Sequence, residues 1–257
     1  MTREPSTKKM RKGIYVLPNL FTTASLLCGF SSILIAVKGN YFVAAVLLLV
    51  AAVFDGLDGR IARYTNSTTK FGAEYDSLSD LVAFGVAPAV LVYIWGLATY
   101  GKWGWMAASL FVVCGALRLA RFNIQIGIIE SKVFNGLPIP AAASVVATGI
   151  LLYDYLGGKG HFTNIFVLLG VFCVALLMIS NIKYYSFKKV NFFSKKPFMS
   201  FFFMVCLMII TIAEPQIVIF SFAVGYALSG PLWLLFRLGQ KVYLSSGNPL
   251  GLFKKDK

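Results

Sequence analysis

Asp55, Asp58, Asp76 and Asp80 fall within one stretch, DGLDGRIARYTNSTTKFGAEYDSLSD at 55–80. With Glu74 they account for half of the ten acidic residues in the chain. The sequence on both sides is long and apolar. A charged side chain in an apolar helix costs several kcal/mol and is therefore usually paired, solvated in a cavity, or functional. Asp55 and Asp58 are three residues apart and Asp76 and Asp80 four apart, so on helices each pair shares a face. Oxygen donors with no neighbouring cysteine or histidine suit hard cations such as Mg²⁺, Mn²⁺ or Ca²⁺. Two divalent ions balance four carboxylates better than one.

The residues between the pairs extend this chemistry. Gly59 removes a side chain where a bulky ligand would approach the helix, and Ala62 keeps the same face low. Arg63 lies about one turn beyond Gly59, and its guanidinium suits a phosphate oxygen. Gly72 is either a second close approach or a turn. A set of helix-end carboxylates paired with Arg60 and Arg63 is the purely structural alternative, but two periodic aspartate pairs weigh against it. Metal ions, a low surface and an arginine together point to a bound diphosphate.

The elements that must position these groups are membrane helices. The 257 residues are 58% hydrophobic and 13% charged, with a mean hydropathy of +0.76; a soluble domain is about one-quarter charged. A bilayer core of about 30 Å takes about 20 apolar residues per helix. On that scale, spans are expected at 20–37, 41–54, 72–100, 103–122, 138–156, 162–182, 198–213 and 216–236. The expectation is all-α: a polytopic membrane bundle of about eight transmembrane helices. Its parts are a basic N-terminal segment (1–19), a six-helix core (20–182), a basic loop on the membrane interface (183–197), two additional helices (198–236) and a basic tail (237–257). The Glu214-Pro215 step between the last two helices reads as a tight reversal.

The net charge of +14 could suggest nucleic acid, but its distribution suggests membrane orientation instead. With both termini cytoplasmic, only Lys38, Lys102 and Lys159 of the 24 basic residues face outward. That asymmetry satisfies the positive-inside rule and puts the aspartates at the cytoplasmic ends of the second and third spans. The basic N-terminus has no small-residue cleavage site after its first apolar run, so a retained first helix is expected. Cys28, Cys114, Cys173 and Cys206 lie in apolar segments without CxxC spacing and read as buried thiols.

The pattern D-x2-D-G-x2-A-R-x8-G-x3-D-x3-D, filled by Asp55, Asp58, Gly59, Ala62, Arg63, Gly72, Asp76 and Asp80, resembles the motif of the CDP-alcohol phosphotransferases. LPNLFT at 17–22, EYDSLSDLVAFGVAPA at 74–89, LRLARFN at 117–123 and NGLPIPAAA at 135–143 look like its phosphatidylserine synthase branch. The resemblance covers the first six spans. It implies two divalent cations, Mg²⁺ or Mn²⁺: Asp55, Asp58 and Asp76 holding one, and Asp58, Asp76 and Asp80 the other. It further implies that the ions grip the diphosphate of CDP-diacylglycerol, and that Arg63, Gly59 and Thr69 contact the nucleotide phosphates. Asn19 and Thr22 become candidates for the cytidine end. Asp80 becomes the base that takes the proton of the serine hydroxyl. Partners so implied are CDP-diacylglycerol, L-serine, the lipid bilayer and a second copy of the chain, in the inner membrane with the site facing the cytoplasm.

Arg118, Arg121 and Asn123 have two readings. The arginines could hold the serine carboxylate by paired hydrogen bonds, or anchor a helix C-terminus on the positive side. His161, the one histidine, reads as a solvated loop residue. Trp95, Trp103 and Tyr153 fit an interfacial belt. Rival functions are the same chemistry on glycerol 3-phosphate, an inositol phosphate or an amino alcohol, and transport of divalent cations. The almost wholly apolar outer halves of the spans count against transport.

Overall fold

A computed structural model describes residues 16–65, 69–125, 133–185, 205 and 208–245. The expected basic N-terminal segment lies mostly outside these residues, as do most of the 183–197 loop, the first part of the 198–213 helix, and Cys206.

The described chain is helical almost throughout. Helix α1 (Val16–Val37) turns at Lys38–Asn40 into α2 (Tyr41–Tyr64), with the Asn40 side chain accepting from the Val43 N–H at 3.2 Å. Helix α3 is one rod from Lys70 to Tyr100. It is α-helical over Lys70–Asp80, opens into a π-helical turn at Leu81–Val86, resumes at Ala87–Val92, and ends through Tyr93–Leu97 (π) and Ala98–Tyr100 (3₁₀). Pro88, which has no N–H to donate, follows the first π turn. The remaining helices are α4 (Lys102–Gln125), α5 (Ile139–Tyr155), α6 (Ile165–Ile179), α7 (208–213) and α8 (Pro215–Ser245). Five described helices are long and apolar enough to cross a membrane: α1, α2, α3, α4 and α8. Helices α5 and α6 are shorter and apolar.

The rod α3 is the centre. In its most apolar window 61% of residues are buried, against 17–33% in the other four long spans. Helix α1 lies along it, and α2, α4 and α5 pack around it. The outward faces are greasy: Leu20, Leu27, Leu34 and Val37 form an exposed stripe on α1. In water such a stripe would be an aggregation surface, whereas in a bilayer it meets lipid chains. Lipid tails are as apolar as leucine, so helices associate by close approach of small residues. Ala36, Ala44, Ala45, Ala51, Ala83 and Ala87 are wholly buried. A Cβ on Gly29 would stand 2.5 Å from the Ala83 Cα, so α1 and α3 cross backbone to backbone there.

Several expectations are corrected. Val133–Asn135 pairs antiparallel with Lys183–Tyr185, a short ribbon that helical periodicity could not reveal. Gly136, at φ 82°, follows the first strand with its N–H on the Ile182 carbonyl at 2.9 Å, and a Cβ there would strike the Met178 carbonyl. The ribbon thus ties the start of α5 to the end of α6, which stops at Ile179 and not at 182 because Ser180 turns extended. Helix α1 begins four residues earlier than expected, taking Asn19 into its first turn. Helix α8 continues to Ser245, so the first part of the 237–257 segment is helical.

Trp95 is buried, with ring centroids 5.4 Å from Tyr153 and 5.5 Å from Phe162. It is core, not interfacial belt. His161 is exposed but engaged: Nδ1 lies 3.0 Å from the Ile94 carbonyl, and the ring packs on Tyr41 at 5.5 Å. Cys114 is buried and Cys28 half-buried as expected, but Cys173 is exposed on the outside of α6.

Candidate active site

Helix α2 delivers Asp55 and Asp58 near its C-terminal end, and α3 delivers Asp76 and Asp80 from its α-helical first part. Carboxylate oxygens of Asp55, Asp76 and Asp80 all lie within 4.8 Å of one another. Asp55 and Asp80 are close enough to share a hydrogen bond. Two unit charges at that spacing repel by on the order of 3 kcal/mol at an effective dielectric of about 20. Three carboxylates therefore need protons or cations between them. Asp76 Oδ1 is buried and has no hydrogen-bond donor. A sequestered, unsatisfied carboxylate oxygen facing two further carboxylates fits a hard divalent cation.

Asp58 departs from the symmetrical four-aspartate expectation. It is buried, and its Oδ2 accepts a 2.7 Å hydrogen bond from the Thr22 hydroxyl on α1. The Thr22 carbonyl in turn accepts from Ser79 Oγ at 3.0 Å. Thr22 therefore joins α1 to the aspartate-bearing segments of both α2 and α3. Nearby, Thr23 Oγ1 and the Tyr75 hydroxyl are 2.9 Å apart, a further link between α1 and α3.

A cavity of about 420 Å³ opens beside the aspartates. Asn19, Thr22, Asp58, Gly59, Arg63 and Asp76 line it, together with Thr69 and Gly72 at the start of α3. Every residue expected to meet CDP-diacylglycerol is in this lining. Thr69 also caps α3, its hydroxyl accepting from the Gly72 N–H at 2.9 Å. A Cβ on Gly72 would lie 3.1 Å from Thr69 Oγ1 and 3.3 Å from Asn19 Oδ1. Gly72 lies within the helix and not in a turn, tight against the Thr69 and Asn19 side chains. At Gly59 a Cβ would meet only the Arg63 guanidinium, at 3.6 Å, so the space there belongs to the cavity.

The three residues expected at the serine end part company. Arg121 Nη2 donates to Asn181 Oδ1 at 2.6 Å, and Asn123 Nδ2 donates to Ser77 Oγ at 3.0 Å. Each of the two makes a hydrogen bond to a neighbouring side chain. Arg118 differs: its Nε is buried without an acceptor, and its guanidinium lies within electrostatic reach of Asp80 and of Tyr226 on α8. The bond from Thr22 to Asp58 and the approach of Tyr226 were invisible in the sequence. Each joins residues far apart in the chain, and neither shows a local spacing.

The family model for CDP-alcohol phosphatidyltransferase matches residues 15–179, more than half of the chain. A CDP-diacylglycerol–serine O-phosphatidyltransferase of Helicobacter pylori (strain 26695) is 45% identical over 183 residues, covering 69% of this chain and 75% of that protein. An archaetidylserine synthase of Methanothermobacter thermautotrophicus is 38% identical over 170 residues, covering 65% and 69%. A CDP-diacylglycerol–serine O-phosphatidyltransferase of Mycobacterium leprae is 38% identical over 188 residues, covering 71% and 62%. The aspartate cluster and its cavity lie inside the matched segment, and the chain belongs to the CDP-alcohol phosphatidyltransferase family.

Proposed function

We propose that the protein transfers a phosphatidyl group from CDP-diacylglycerol to L-serine, giving phosphatidylserine and CMP. The observation that carries this reading is the single cavity in which Asn19, Gly59, Arg63 and Thr69 converge on Asp58 and Asp76. The names of the relatives, two serine O-phosphatidyltransferases and an archaetidylserine synthase, favour serine as the acceptor.

Asp55, Asp58, Asp76 and Asp80 would hold two divalent cations, Mg²⁺ or Mn²⁺. Bound there, the ions supply Lewis-acid neutralisation of the diphosphate and of the departing CMP. Arg63 donates to the nucleotide phosphates, and Gly59 leaves the room they need. Thr69 and Asn19 border the same space. Thr22 acts through Asp58, holding one carboxylate oxygen so that the other faces the cavity. Asp80 accepts the proton of the serine hydroxyl as that oxygen attacks the β-phosphorus. The new P–O bond forms to serine while the bond to CMP breaks. Arg118 is placed for the serine carboxylate, whereas Arg121 and Asn123 support the surrounding helices.

The site faces the cytoplasm in this reading, supported by the outward scarcity of lysine and arginine. Lipid tails stay in the inner membrane while the nucleotide head meets water. The homodimer implied by the family resemblance belongs to the same reading. Purified protein given CDP-diacylglycerol with L-serine, glycerol 3-phosphate, an inositol phosphate or ethanolamine tests the acceptor. CMP release with serine is expected; release with glycerol 3-phosphate but not serine overturns it.

A further inference from the structure

Helix α8 lies wholly beyond the segment matched by the family model, yet one of its side chains comes near an arginine that neighbours the aspartate centre. Tyr226 is within electrostatic reach of Arg118, which in turn reaches Asp80. The placement of Tyr226 is built, not incidental. Its ring packs against Tyr184 at 5.7 Å, and the Tyr184 hydroxyl donates to the Ala227 carbonyl at 2.9 Å. Tyr184 is wholly buried, and a Cβ on Gly230 would collide with its ring, so α8 closes directly onto the second strand of the ribbon. Burial and the neighbouring Tyr226 push the Tyr184 phenol up to about 12, which keeps it a hydrogen-bond donor. The ribbon, in turn, is anchored to α5 and α6 through Gly136 and Leu137.

We propose that Tyr226 is a positioning residue for the acceptor: held by Tyr184, it orients the Arg118 guanidinium so that its unsatisfied edge receives the anionic group of the incoming alcohol. A buried Arg Nε without an acceptor is costly. An anion arriving on that edge would remove the cost, and so draws its binding energy from a site already fixed. If Arg118 served only as counter-ion to Asp80, nothing in that role would call on a tyrosine from another helix. The inference rests on the proposed acceptor chemistry and deepens it, since it assigns a specificity element to the helix added after the family core.

The test is steady-state kinetics of Tyr226→Phe and Tyr184→Phe in the full-length protein, with CMP release as readout and thermal unfolding in detergent as the check on folding. For Tyr226→Phe the KM for L-serine should rise about tenfold, the consequence of losing one polar group that orients a charged one. The KM for CDP-diacylglycerol should stay the same, and kcat at saturating serine should change little. Tyr184→Phe should move the serine KM in the same direction by less, and it decides the matter if Tyr226→Phe does not fold. An unchanged serine KM in the folded variants, or an equal rise in both KM values, overturns the inference. If the unaltered protein releases CMP with glycerol 3-phosphate and not with serine, the serine reading falls. The KM for glycerol 3-phosphate then becomes the readout for Tyr226. Release only with ethanolamine, which carries no anionic group, overturns both.

Discussion

The Thr22 hydroxyl on α1 donates a 2.7 Å hydrogen bond to Asp58 Oδ2 on α2, across thirty-six residues of chain. That bond holds a carboxylate that lines the cavity. It also makes α1, which contributes no carboxylate to the aspartate cluster, part of the site.

Thr22→Val keeps the volume and removes the donor. Loss of a partner that orients a metal-binding group typically costs 10–100-fold in metal affinity or activity. We expect the Mg²⁺ or Mn²⁺ concentration for half-maximal CMP release to rise by about tenfold or more. Thr22→Ser should retain most of the activity. A metal titration of the two variants checks this.

Asp80→Asn should abolish CMP release, because the amide can neither take the serine proton nor balance a cation. Chelation of the unaltered protein should do the same, with activity restored by Mg²⁺ or Mn²⁺. Activity that survives both treatments would remove the aspartates from the mechanism.

Gly59 and Gly29 should separate function from fold. At Gly59 a Cβ has room within the protein, so Gly59→Val should leave thermal unfolding nearly unchanged. It should raise the KM for CDP-diacylglycerol by filling the cavity. At Gly29 a Cβ would meet the Ala83 backbone. Gly29→Val should force α1 off α3 at a cost of about 1–3 kcal/mol, the usual range for overpacking. Unfolding in detergent and substrate kinetics of both variants distinguish the two effects.

Arg118→Ala should raise the serine KM far more than Asn123→Ala. Arg118 has an unsatisfied buried donor beside Asp80, whereas Asn123 is engaged with Ser77. Asn123→Ala should instead lower stability by about 1 kcal/mol, the net worth of a typical hydrogen bond. Equal effects on the serine KM would remove the distinction between them.

Much of the site was legible before any coordinates, because its information is local. Asp55 with Asp58, and Asp76 with Asp80, declare their shared faces through spacings of three and four residues. Gly59, Ala62 and Arg63 are read in the same helical turns. The membrane class follows from composition and from runs of apolar residues, five of which lie on described helices long enough to cross a bilayer. The ribbon was not legible, because Val133–Asn135 and Lys183–Tyr185 are three residues each and are strands only by virtue of each other. Trp95 was misread for a similar reason. An aromatic near the end of a span looks interfacial until Tyr153 and Phe162 are seen to enclose it.

The sequence by itself thus determined the helical membrane class, the four aspartates and the small-residue surface beside them, all of which depend on neighbours within one or two turns. Tertiary structure alone decided that Asp55, Asp76 and Asp80 cluster while Asp58 turns to Thr22. It also decided that Gly72 stands tight against Thr69 and Asn19 and that Arg118 carries a buried donor without an acceptor. These outcomes depend on which helices touch and at what height. In a bilayer that is settled by close packing of small residues such as Gly29 on Ala83, a property of pairs and not of any one segment.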